Sequence, residues 1–580
     1  MVNQQIAKIF YDLASYLEME EVAFKPQAYE KAGIALEALE EDIKDVYQKG
    51  GLKALEEIPG VGKSIAEKIE EYIKTGKIKY YQDFKKRLPI KLDEIIPVEG
   101  MGPKKAKVLY EKLGIKTLKD LEKAAKTHKI SSLFGFGGKS EKNILDGIKF
   151  LKREKGRFLL GEVFPIVKEV SEKLKRIKGV ERVDSVGSIR RMKETIGDVD
   201  FLVAVKGSKG SASAKASADA VADFFVSLPG VIKIWGKGKT KASVRMEEGF
   251  DMDIRVLPKR SYGAALQYFT GSKEHNIVLR KLAIEKGLKL SEYGLFRGPK
   301  MITSETEEGI YKALDLEWIP SEIRENQGEI EAAQKGNLPK LIDYTDIKGD
   351  LHCHTNWSKK EYPSIEEIIE VAEKMNYQYI GISDHTKFLR IENGLNEKQL
   401  LSQRKKIENL NRNSEIKILQ GCEANILGDG RLDIEDEVLA QLDYVIAGVH
   451  SQMKISKKEM TERIIKAMRN PNVDIISHPT GRLIKRRDEY EIDFDKILRV
   501  AKETGTILEI NSCPERLDLK DTNIRKAKEV GVKMVINTDS HHTDHMRFIE
   551  YGVSQARRGW AEKEDIINTQ PLEKLLSFFK

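Results

Sequence analysis

The chain has 580 residues, which is too many for one hydrophobic core, so its length predicts several domains. Charged residues make up 33% of it and the formal net charge is +8, which permits nucleic-acid binding without requiring it. No run of about 18 apolar residues and no export signal is evident, and the three cysteines are scattered, so we expect a cytoplasmic protein without membrane spans or a disulfide framework.

The first 150 or so residues are predicted to be helical, and they contain a pattern that occurs three times. In IPGVGKSIAEKI, VEGMGPKKAKVL and LFGFGGKSEKNI, two glycines precede an amphipathic helix whose first N–H groups can bind a phosphate. A packing unit without a ligand is the alternative. The repeat, with Lys63, Lys104 and Lys139 nearby, resembles helix-hairpin-helix modules and favours sequence-independent binding of the DNA backbone. The glycines are Gly60, Gly62, Gly100, Gly102, Gly135 and Gly137.

From about residue 158 to 258 the sequence predicts mixed strands and helices, with one low-complexity stretch, KGSKGSASAKASADA, that favours a loop. IGDVDFLVAV places Asp198 and Asp200 on one face of an apolar strand, and GFDMDIRVL offers Asp251 and Asp253 on another. Three converging carboxylates would hold two divalent cations, as phosphoryl transfer requires. An exposed acidic sheet edge is the alternative.

Upstream of these acids, VGSIRR predicts a strand-to-helix turn that can hold a triphosphate. VGSIRR, GDVDFLV, DMDIRVLP, YFTGS and SEYGLF stand in the order found in family X DNA polymerases, and the chain resembles that family from residue 1 to about 318. The resemblance implies that Asp198, Asp200 and Asp253 bind Mg²⁺ or Mn²⁺, with Asp253 assisting deprotonation of the primer 3′-hydroxyl. It implies nucleotide binding by Gly187, Ser188, Arg191, Gly197, Tyr268, Phe269, Gly271, Asn276 and Arg280, and template contacts by Arg280 and Tyr293. Lys273 departs from the acid or polar residue that often follows TGS.

FKPQAYEKA and IPGVGKSIAEKI resemble the 5′-phosphate-binding lyase domain of the same family. The resemblance implies that Lys68 forms a Schiff base and that Lys25 and Tyr29 bind the phosphate. This chemistry needs a lysine of lowered pKa. Ser64 replaces one of the expected lysines, and a solvated helix position for Lys68 is the alternative.

Beyond about residue 346, short apolar strands alternate with helices, which predicts a parallel, barrel-like α/β domain. Eight of the 10 histidines lie there, and six of them stand at or beside strand ends together with Glu423 and Asp539. Imidazole and carboxylate ligands suit zinc, manganese or iron, and groups at the carboxyl ends of barrel strands meet in one pocket. Ions there would activate water against a phosphoester. A lone histidine is usually a core residue whose hydrogen bonds are satisfied, but this alternative does not explain six. The six are His352, His354, His385, His450, His478 and His541.

DLHCHT, GISDHT, GVHS, SHPTGR and NTDSHH resemble the PHP domain, a distorted seven-stranded β/α barrel with three metals. The resemblance implies that the six histidines, Glu423 and Asp539 hold two or three Zn²⁺, Mn²⁺ or Fe ions, supported by Asp384 and Arg482. Lys359 stands where the family has an aspartate ligand. Either Glu361 substitutes for it, or one metal is weakly held, or the domain is impaired.

The sequence therefore predicts a multidomain α+β protein that repairs DNA. We expect it to fill short gaps, with a PHP domain that acts as a 3′–5′ exonuclease, abasic-site endonuclease or 3′-end phosphoesterase. Its partners would be gapped or primer-template DNA and deoxynucleoside triphosphates, bound by a monomer. The alternatives are a PHP phosphatase or an inactive PHP scaffold tethered to a DNA-binding polymerase module. The predicted domains are a lyase-like helical domain (1–90), a second helical domain (91–155), a nucleotidyltransferase palm (156–260), a small α/β thumb (261–320), a linker (321–345) and the PHP barrel (346–580).

Overall fold

The computed structural model describes residues 2–39, 42–58, 60–98, 101–153, 156–206 and 212–580. The chain forms two compact units, one of residues 1–155 with 485–487 and one of residues 156–484 with 488–580. Within the described ranges, no helix combines the length and the apolar character that crossing a membrane requires.

The first unit is helical, as its periodicity predicted. Ile6, Phe10 and Leu109 belong to one continuous core that includes residues of both predicted helical domains. Gly76 and Gly114 end two of the helices in the left-handed conformation that glycine adopts at low cost. The helices are α1 (Val2–Met19), α2 (Lys25–Ala38), α3 (Ile43–Glu56), α4 (Lys63–Thr75), α5 (Lys79–Arg87), α6 (Leu92–Ile95), α7 (Pro103–Leu113), α8 (Leu118–Lys126) and α9 (Gly138–Arg153).

The second unit begins with the palm, a five-stranded mixed sheet. Its elements are β1 (Phe158–Leu159), α10 (Leu160–Lys175), β2 (Val180–Val186), β3 (Thr195–Ile196), β4 (Asp198–Val205), α11 (Ala212–Val226), β5 (Val231–Lys237), β6 (Lys241–Met246) and β7 (Asp251–Pro258). The strand order is β2-β4-β7-β6-β5, and β4 and β7 form its parallel pair. The loop predicted for the low-complexity stretch is wrong from Ala212 onward, because its alanines favour a helix that packs on the sheet.

The thumb follows, with helices on a three-stranded antiparallel sheet of order β10-β9-β8. Its elements are α12 (Tyr262–Thr270), α13 (Lys273–Glu285), β8 (Lys289–Ser291), β9 (Gly294–Arg297), β10 (Lys300–Thr303), α14 (Glu307–Ala313) and α15 (Glu329–Lys335). Leu279, Leu295 and Tyr311 lie in its core. The predicted linker contains α15 and the fully buried Arg324, so this stretch is packed against its neighbours.

The remaining residues form a parallel β/α domain. Its strands are β11 (Gly349–Cys353), β12 (Tyr379–Ile382), β13 (Lys417–Gln420), β14 (Glu423–Asn425), β15 (Ile446–Gly448), β16 (Ile475–Ile476), β17 (Ile507–Asn511) and β18 (Met534–Asn537). They form two sheets, β11-β12-β13 and β14-β15-β16-β17-β18. Parallel bridges from Cys353 to Ser540 and from His385 to Glu423 join the sheets into a barrel. Only Gly421 and Cys422 separate β13 from β14. If β13 and β14 are counted as one strand, the barrel has seven strands.

Helices surround this barrel: α16 (Ile365–Lys374), α17 (Glu397–Leu410), α18 (Asp436–Leu439), α19 (Lys457–Met468), α20 (Phe494–Thr504), α21 (Asp521–Val530), α22 (Ile549–Arg558) and α23 (Leu572–Leu576). Short 3₁₀ helices occupy Lys259–Ser261, Ser321–Ile323, Arg390–Glu392, Thr543–Phe548, Lys563–Asp565 and Ile567–Thr569. The barrel also packs on the palm, since Leu517 and Tyr551 share a core with palm residues such as Val163. The predicted multidomain α+β architecture is confirmed.

Candidate active sites

The palm sheet brings four aspartates to one face of two neighbouring strands. β4 and β7 pair with Asp198 opposite Asp251 and Asp200 opposite Asp253. Partners in a parallel pair share a face, so all four carboxylates point the same way. Burial and the nearby carboxylates of Asp198 and Asp253 raise the pKa of Asp200 to about 6. A bound cation would remove this repulsion, so the site favours one.

The two aspartates of β7 have different partners. Arg245 binds the Asp251 carboxylate with Nε at 2.6 Å and Nη2 at 2.8 Å. Asp253 accepts a hydrogen bond from the Ser243 hydroxyl, which comes from the adjacent strand. Asp253 also has a cationic neighbour, since its Oδ2 lies 3.6 Å from Lys241 Nζ, but this contact is longer than the two from Arg245 to Asp251. Asp253 is the carboxylate that lies beside Asp200.

The predicted triphosphate-binding loop follows β2. Gly187 has a positive φ of 73°, which glycine adopts without strain, and Ser188 continues the turn. The Arg191 guanidinium is engaged in this structure: its Nε lies 3.0 Å from Glu325 Oε1, and it donates to the Thr270 carbonyl oxygen. A triphosphate at this loop would have to compete with Glu325 for Arg191.

The predicted nucleotide-selecting turn lies at the end of α12. The rings of Tyr268 and Phe269 meet edge to face at 5.2 Å, and Gly271 follows with a φ of 70°. Asn276 donates through Nδ2 to the Tyr268 carbonyl oxygen at 2.7 Å, and Arg280 Nε donates to the Asn276 carbonyl oxygen at 3.2 Å. Hydrogen bonds thus connect three of the predicted nucleotide contacts, Tyr268, Asn276 and Arg280.

Three further residues of the polymerase half lie at turns. Gly197 stands between β3 and β4, where an added Cβ would be 3.4 Å from Arg157 Nη1. Tyr293 is 58% exposed and lies between β8 and β9. Lys273 is exposed at the start of α13. Tyr293 and Lys273 are therefore both accessible to DNA or nucleotide.

In the helical unit, Lys68 has the surroundings of a nucleophile. Its Nζ donates to the carbonyl oxygen of Ser64 at 2.9 Å and to the Ser64 hydroxyl at 3.1 Å, and lies 5.5 Å from the Tyr80 ring centre and 6.0 Å from that of Tyr29. Burial lowers the pKa of Lys68, and the charge of Lys25 lowers it further. The amine is partly shielded and more easily deprotonated than a solvated lysine.

The three glycine-bearing turns each end directly at a helix. Gly62 precedes α4, Gly102 precedes α7 and Gly137 precedes α9. Among the described residues, and apart from each glycine's own chain neighbours, no atom lies within 4 Å of a Cβ added at any of the three, so the backbone is open there to an approaching phosphate. The other three predicted glycines are Gly60 and Gly135, both with positive φ, and Gly100, which lies outside the described residues.

In the barrel, Glu423 is the centre of a buried cluster of imidazoles. His385 Nδ1 lies 2.7 Å from Glu423 Oε2. His450 Nε2 and His478 Nε2 lie 3.2 and 2.9 Å from Glu423 Oε1. The three histidines follow the carboxyl-terminal ends of β12, β15 and β16, where a β/α barrel builds its sites, and Glu423 begins β14.

Asp539 forms the second centre of this cluster. His354 Nε2 lies 3.2 Å from Asp539 Oδ1, His352 Nε2 lies 3.6 Å away and His541 Nδ1 lies 3.7 Å away. The His354 ring stacks on both His385 and His541, with centres 4.2 Å apart in each case. The structure thus brings all eight predicted ligands of the PHP domain into one cluster.

The donor atoms of this cluster suit divalent metals. Three sets have ligand atoms within 4.8 Å of one another: His354–His385–His541, His352–His354–Asp539 and His385–Glu423–His450. Within the part of the chain that the structure describes, such sets all belong to this domain, so the palm carboxylates are spaced more widely. Burial, His385 and His541 hold the pKa of His354 well below its usual range, which keeps it neutral. Among the described residues, His352 Nε2 and His354 Nδ1 are buried and have no hydrogen-bond partner, which suits metal ligands.

Glu509 contacts the cluster but was not among the residues predicted from the sequence motifs. It is fully buried on β17, and its Oε1 lies 2.6 Å from His352 Nδ1. Its Oε2 accepts a hydrogen bond from the His478 backbone N–H at 2.8 Å. Glu509 therefore fixes the orientation and tautomer of His352. The available signal was a lone carboxylate inside the apolar strand TILEINS.

The positive charge of Lys359 is balanced by a carboxylate. Its Nζ lies 3.0 Å from Glu392 Oε2, which also accepts a hydrogen bond from Tyr362 at 2.5 Å. The Tyr362 ring packs edge to face on His541, with centres 4.8 Å apart. Glu361 is exposed and belongs to none of the donor sets found among the described residues.

The two predicted supporting residues occupy different positions. Asp384 is buried and accepts hydrogen bonds from the Thr355 N–H at 2.6 Å and from Ser358 and Gln403. It thereby holds the loop that follows His354. Arg482 Nη2 lies 2.8 Å from Glu194 Oε2, on the palm. Arg482 thus connects the barrel to the palm instead of lining the cluster.

Four family models match the chain. They describe a helix-hairpin-helix domain (residues 1–78), a SAM-like helix-hairpin-helix tandem (92–149), the DNA polymerase beta thumb (265–325) and the PHP domain (350–513). The matches follow the predicted order of modules. They confirm the helix-hairpin-helix, thumb and PHP assignments.

Similarity to known proteins supports the same assignments. The chain is 36% identical over 586 aligned positions to the DNA polymerase/3′-5′ exonuclease PolX of Bacillus subtilis (strain 168), covering 100% of both chains. It is 32% identical over 234 positions to a probable phosphatase of Thermoanaerobacter sp. (strain X514), covering 38% of this chain and 89% of that one. A probable phosphatase of Clostridium acetobutylicum is 32% identical over 201 positions, covering 33% of this chain and 78% of that protein. The chain belongs to the family X DNA polymerases that carry helix-hairpin-helix modules and a C-terminal PHP domain.

Proposed function

We propose that this protein is a metal-dependent DNA repair polymerase that fills short gaps, and that its PHP domain is a 3′–5′ exonuclease that also acts at abasic sites and on 3′-end phosphoesters. The relative from Bacillus subtilis bears both a polymerase and an exonuclease in its name and is similar over its full length. The observation that carries the proposal is that one chain holds two separate donor clusters, carboxylates in the palm and imidazoles in the barrel.

In the palm, we assign Asp198, Asp200 and Asp253 as ligands of Mg²⁺ or Mn²⁺. Two such ions, when bound, offset the charge of the triphosphate and of the attacking and leaving oxygens. The register that sets Asp200 beside Asp253 supports this set over one that contains Asp251. Ser243 orients Asp253, which can then accept the proton of the primer 3′-hydroxyl.

A deoxynucleoside triphosphate would lie between the two halves of the polymerase site. Gly187, Ser188 and Arg191 would hold its phosphates, with Gly197 close by. Its sugar would contact the Tyr268–Gly271 turn, and its base would reach Asn276. Arg280 and Tyr293 would contact the template strand, and Lys25 and the six hairpin glycines would contact the DNA backbone. We propose that the protein does this as a monomer.

The test of the palm site compares two neighbouring aspartates. Asp253→Asn should abolish extension in a one-nucleotide gap with Mg²⁺ or Mn²⁺. Asp251→Asn is the matched control and should retain extension, because Asp251 is bound to Arg245. Both variants should still digest 3′ ends. Extension by Asp253→Asn at the wild-type rate would show that the carboxylates are wrongly assigned.

In the barrel, we assign the six clustered histidines, Glu423 and Asp539 as ligands of two or three Zn²⁺, Mn²⁺ or Fe ions. Such ions, when bound, generate a nucleophile from water at neutral pH and polarise the phosphoester. Glu509 holds His352 so that Nε2 is free for an ion. Asp384 keeps the loop after His354 in place, and the buried setting excludes bulk water.

The test of the barrel site removes two imidazoles. His352→Ala with His354→Ala should abolish Mn²⁺-dependent 3′ digestion and leave gap filling unchanged. His542→Ala is the control, because this histidine lies near the cluster but outside the donor sets. Unchanged digestion by the double variant would overturn the assignment. A wild type that releases phosphate from small phosphomonoesters but never acts on DNA would favour the phosphatase that the shorter relatives' names suggest.

We also propose that Lys68 is the Schiff-base nucleophile of a lyase that removes a 5′-deoxyribose phosphate. The lowered pKa of Lys68 and the nearby charge of Lys25 support this role. Tyr29 is buried and its ring faces Lys68, so it would orient the amine.

A further inference from the structure

A groove on the barrel domain lies outside both donor clusters. Its volume is 1140 Å³, and its walls come from the loop after β12, the loop after β14 and the end of α19. Small-molecule sites are typically about 300–1,000 Å³ and mostly apolar. This groove is larger and rich in charged side chains, which suits a polymer better than a metabolite.

One buried carboxylate of the groove wall is hydrogen-bonded to residues next to the metal-ligand cluster. Asp433 accepts a hydrogen bond from the Thr386 hydroxyl at 2.7 Å and from the Phe388 N–H at 2.8 Å. It also accepts from the Asn425 N–H at 2.8 Å. Thr386 and Asn425 lie one and two residues after His385 and Glu423, so Asp433 fastens the groove wall to two ligand-bearing strand ends.

Positive charge predominates along the groove. Arg390 and Arg469 are exposed and make no ion pair with the described residues, so their guanidinium groups are available. Of the acids, Asp433 is buried and satisfied, and Asp436 accepts a hydrogen bond from Asn470 at 2.7 Å. The full set of charged lining residues is Lys387, Arg390, Arg431, Lys466 and Arg469 against Asp433, Glu435 and Asp436.

An exposed aromatic ring lines the groove close in sequence to a predicted ligand. Phe388 is 42% exposed, three residues after His385, and Ile391 beyond it is 78% exposed. Grooves that bind single-stranded nucleic acid combine cations that follow the backbone with aromatic rings on which bases stack. Phe388 and the free arginines provide both components.

We propose that this groove binds single-stranded DNA, holding the nucleotides upstream of a 3′ end that enters the barrel's metal-ligand cluster. Phe388 stacks on a base near the end, and Arg390 and Arg469 contact phosphates. Arg431, whose Nε lies 2.7 Å from Asp429 Oδ2, contacts a further phosphate in exchange for that carboxylate. The inference rests on the proposed exonuclease activity, because that activity requires the strand to leave the cluster along some path.

The first experiment measures hydrolysis of a single-stranded oligonucleotide by the full chain. Arg390→Ala/Arg431→Ala/Arg469→Ala should raise KM roughly tenfold or more at low salt, leave kcat unchanged, and reduce the slope of log KM against log salt by about 2. Hydrolysis of bis(p-nitrophenyl) phosphate should stay at the wild-type rate, because so small an ester does not reach the groove. Lys405→Ala/Arg412→Ala/Lys417→Ala removes the same charge from exposed positions outside the groove and should leave KM unchanged.

Phe388 gives an independent variant. Phe388→Ala should raise KM roughly fivefold or more, and Phe388→Trp should restore it, since any aromatic face can stack on a base. Equal KM values for the groove variants and the control triple variant would overturn the proposal. So would a loss of bis(p-nitrophenyl) phosphate hydrolysis that matches the loss on DNA.

The second experiment uses the wild-type chain and so does not depend on the folding of a variant. An oligonucleotide with 5-iodo-2′-deoxyuridine two to four positions from its 3′ end is irradiated with the protein in the presence of EDTA. The cross-linked peptide should contain Phe388. Cross-links confined to other domains would refute the groove even if wild-type digestion is normal. A wild type that fails to digest DNA at all would instead refute the exonuclease.

Discussion

Glu307 joins the two sides of the nucleotide site, and its replacement gives a sharp prediction. Its carboxylate binds Arg190 through two contacts of 2.7 Å and Arg324 through a third of 2.7 Å. The Glu307 and Arg324 side chains are 3% and 0% exposed. Arg190 also donates to the Thr270 hydroxyl at 2.6 Å, which places the turn at the end of α12. One carboxylate therefore pairs with two largely buried guanidinium groups.

Glu307→Gln keeps the shape and removes the charge, leaving Arg324 buried without a counterion. Breaking a buried pair in this way costs about 3–5 kcal/mol. The loss should appear as local opening of α12 and α14, with amide hydrogen exchange accelerated roughly hundredfold or more. Glu308→Gln is the matched control, since Glu308 is the exposed next residue of the same helix. Loosening of the turn should also raise the KM for the incoming nucleotide.

The same contact predicts a pH dependence. Burial works to raise the pKa of Glu307, but Arg324 and Arg190 outweigh it and hold the pKa well below its ordinary value of 4.5. The charge therefore stabilises the fold at pH values above 4.5, and this contribution is lost as pH falls toward the depressed pKa. The difference in exchange between wild type and Glu307→Gln should narrow as pH falls below 4.5. Equal protection of Glu307→Gln and Glu308→Gln at neutral pH would refute the reasoning.

Three further predictions address the other sites. Lys68→Ala should abolish the borohydride-trapped adduct with 5′-deoxyribose phosphate DNA, while the control Lys74→Ala should retain it. Because the charge of Lys25 helps to lower the pKa of Lys68, Lys25→Ala should shift the pH profile of trapping upward. An unchanged pH profile would contradict this. Lys359→Asp should raise the manganese content of the reconstituted protein by up to one ion per chain, because a carboxylate replaces an ammonium beside the cluster. Elemental analysis measures this content, and the exposed Lys360→Asp is the control. Equal metal content in both variants would argue against the prediction. Glu325→Gln should lower the KM for deoxynucleoside triphosphates roughly fivefold, because it releases a charged hydrogen bond to Arg191. The control Glu331→Gln, at an exposed position, should leave KM unchanged. A rise in KM for Glu325→Gln would refute the idea that Glu325 competes with the triphosphate for Arg191.

The convergence of the residues in both donor clusters could be predicted from the sequence because strand geometry constrains it. Asp198 and Asp200 stand two residues apart on an apolar strand, so a shared face follows from the period of a strand. The histidines follow short apolar strands whose carboxyl ends converge in a barrel. In both cases local pattern and global fold agree, and the motif order then identified the family.

Contacts between distant segments were not predictable in this way. Glu392 lies 33 residues from Lys359, and no periodicity links the two, so the pairing that balances Lys359 appears only in the structure. Glu509 lies 157 residues from the imidazole that it orients. The helix from Ala212 was missed for a different reason: its serine-rich, repetitive composition resembles a linker, while its alanines stabilise a helix once the sheet is there to pack against.

The turn from Gly187 to Glu194 connects the polymerase site to the PHP barrel. Arg191 binds Glu325, and Arg558 of the barrel binds both Glu325, at 3.1 Å, and the Arg191 carbonyl oxygen, at 2.9 Å. Three residues further on, Glu194 binds Arg482, which follows the proposed ligand His478 by four positions. A triphosphate that draws Arg191 away from Glu325 therefore leaves Glu325 with one guanidinium partner fewer, while Arg558 keeps its contact with Glu325. Because Glu325 and Arg558 are largely buried, solvent compensates little for this loss, and we expect occupancy of the polymerase site to strengthen the contact between Glu325 and Arg558 of the barrel.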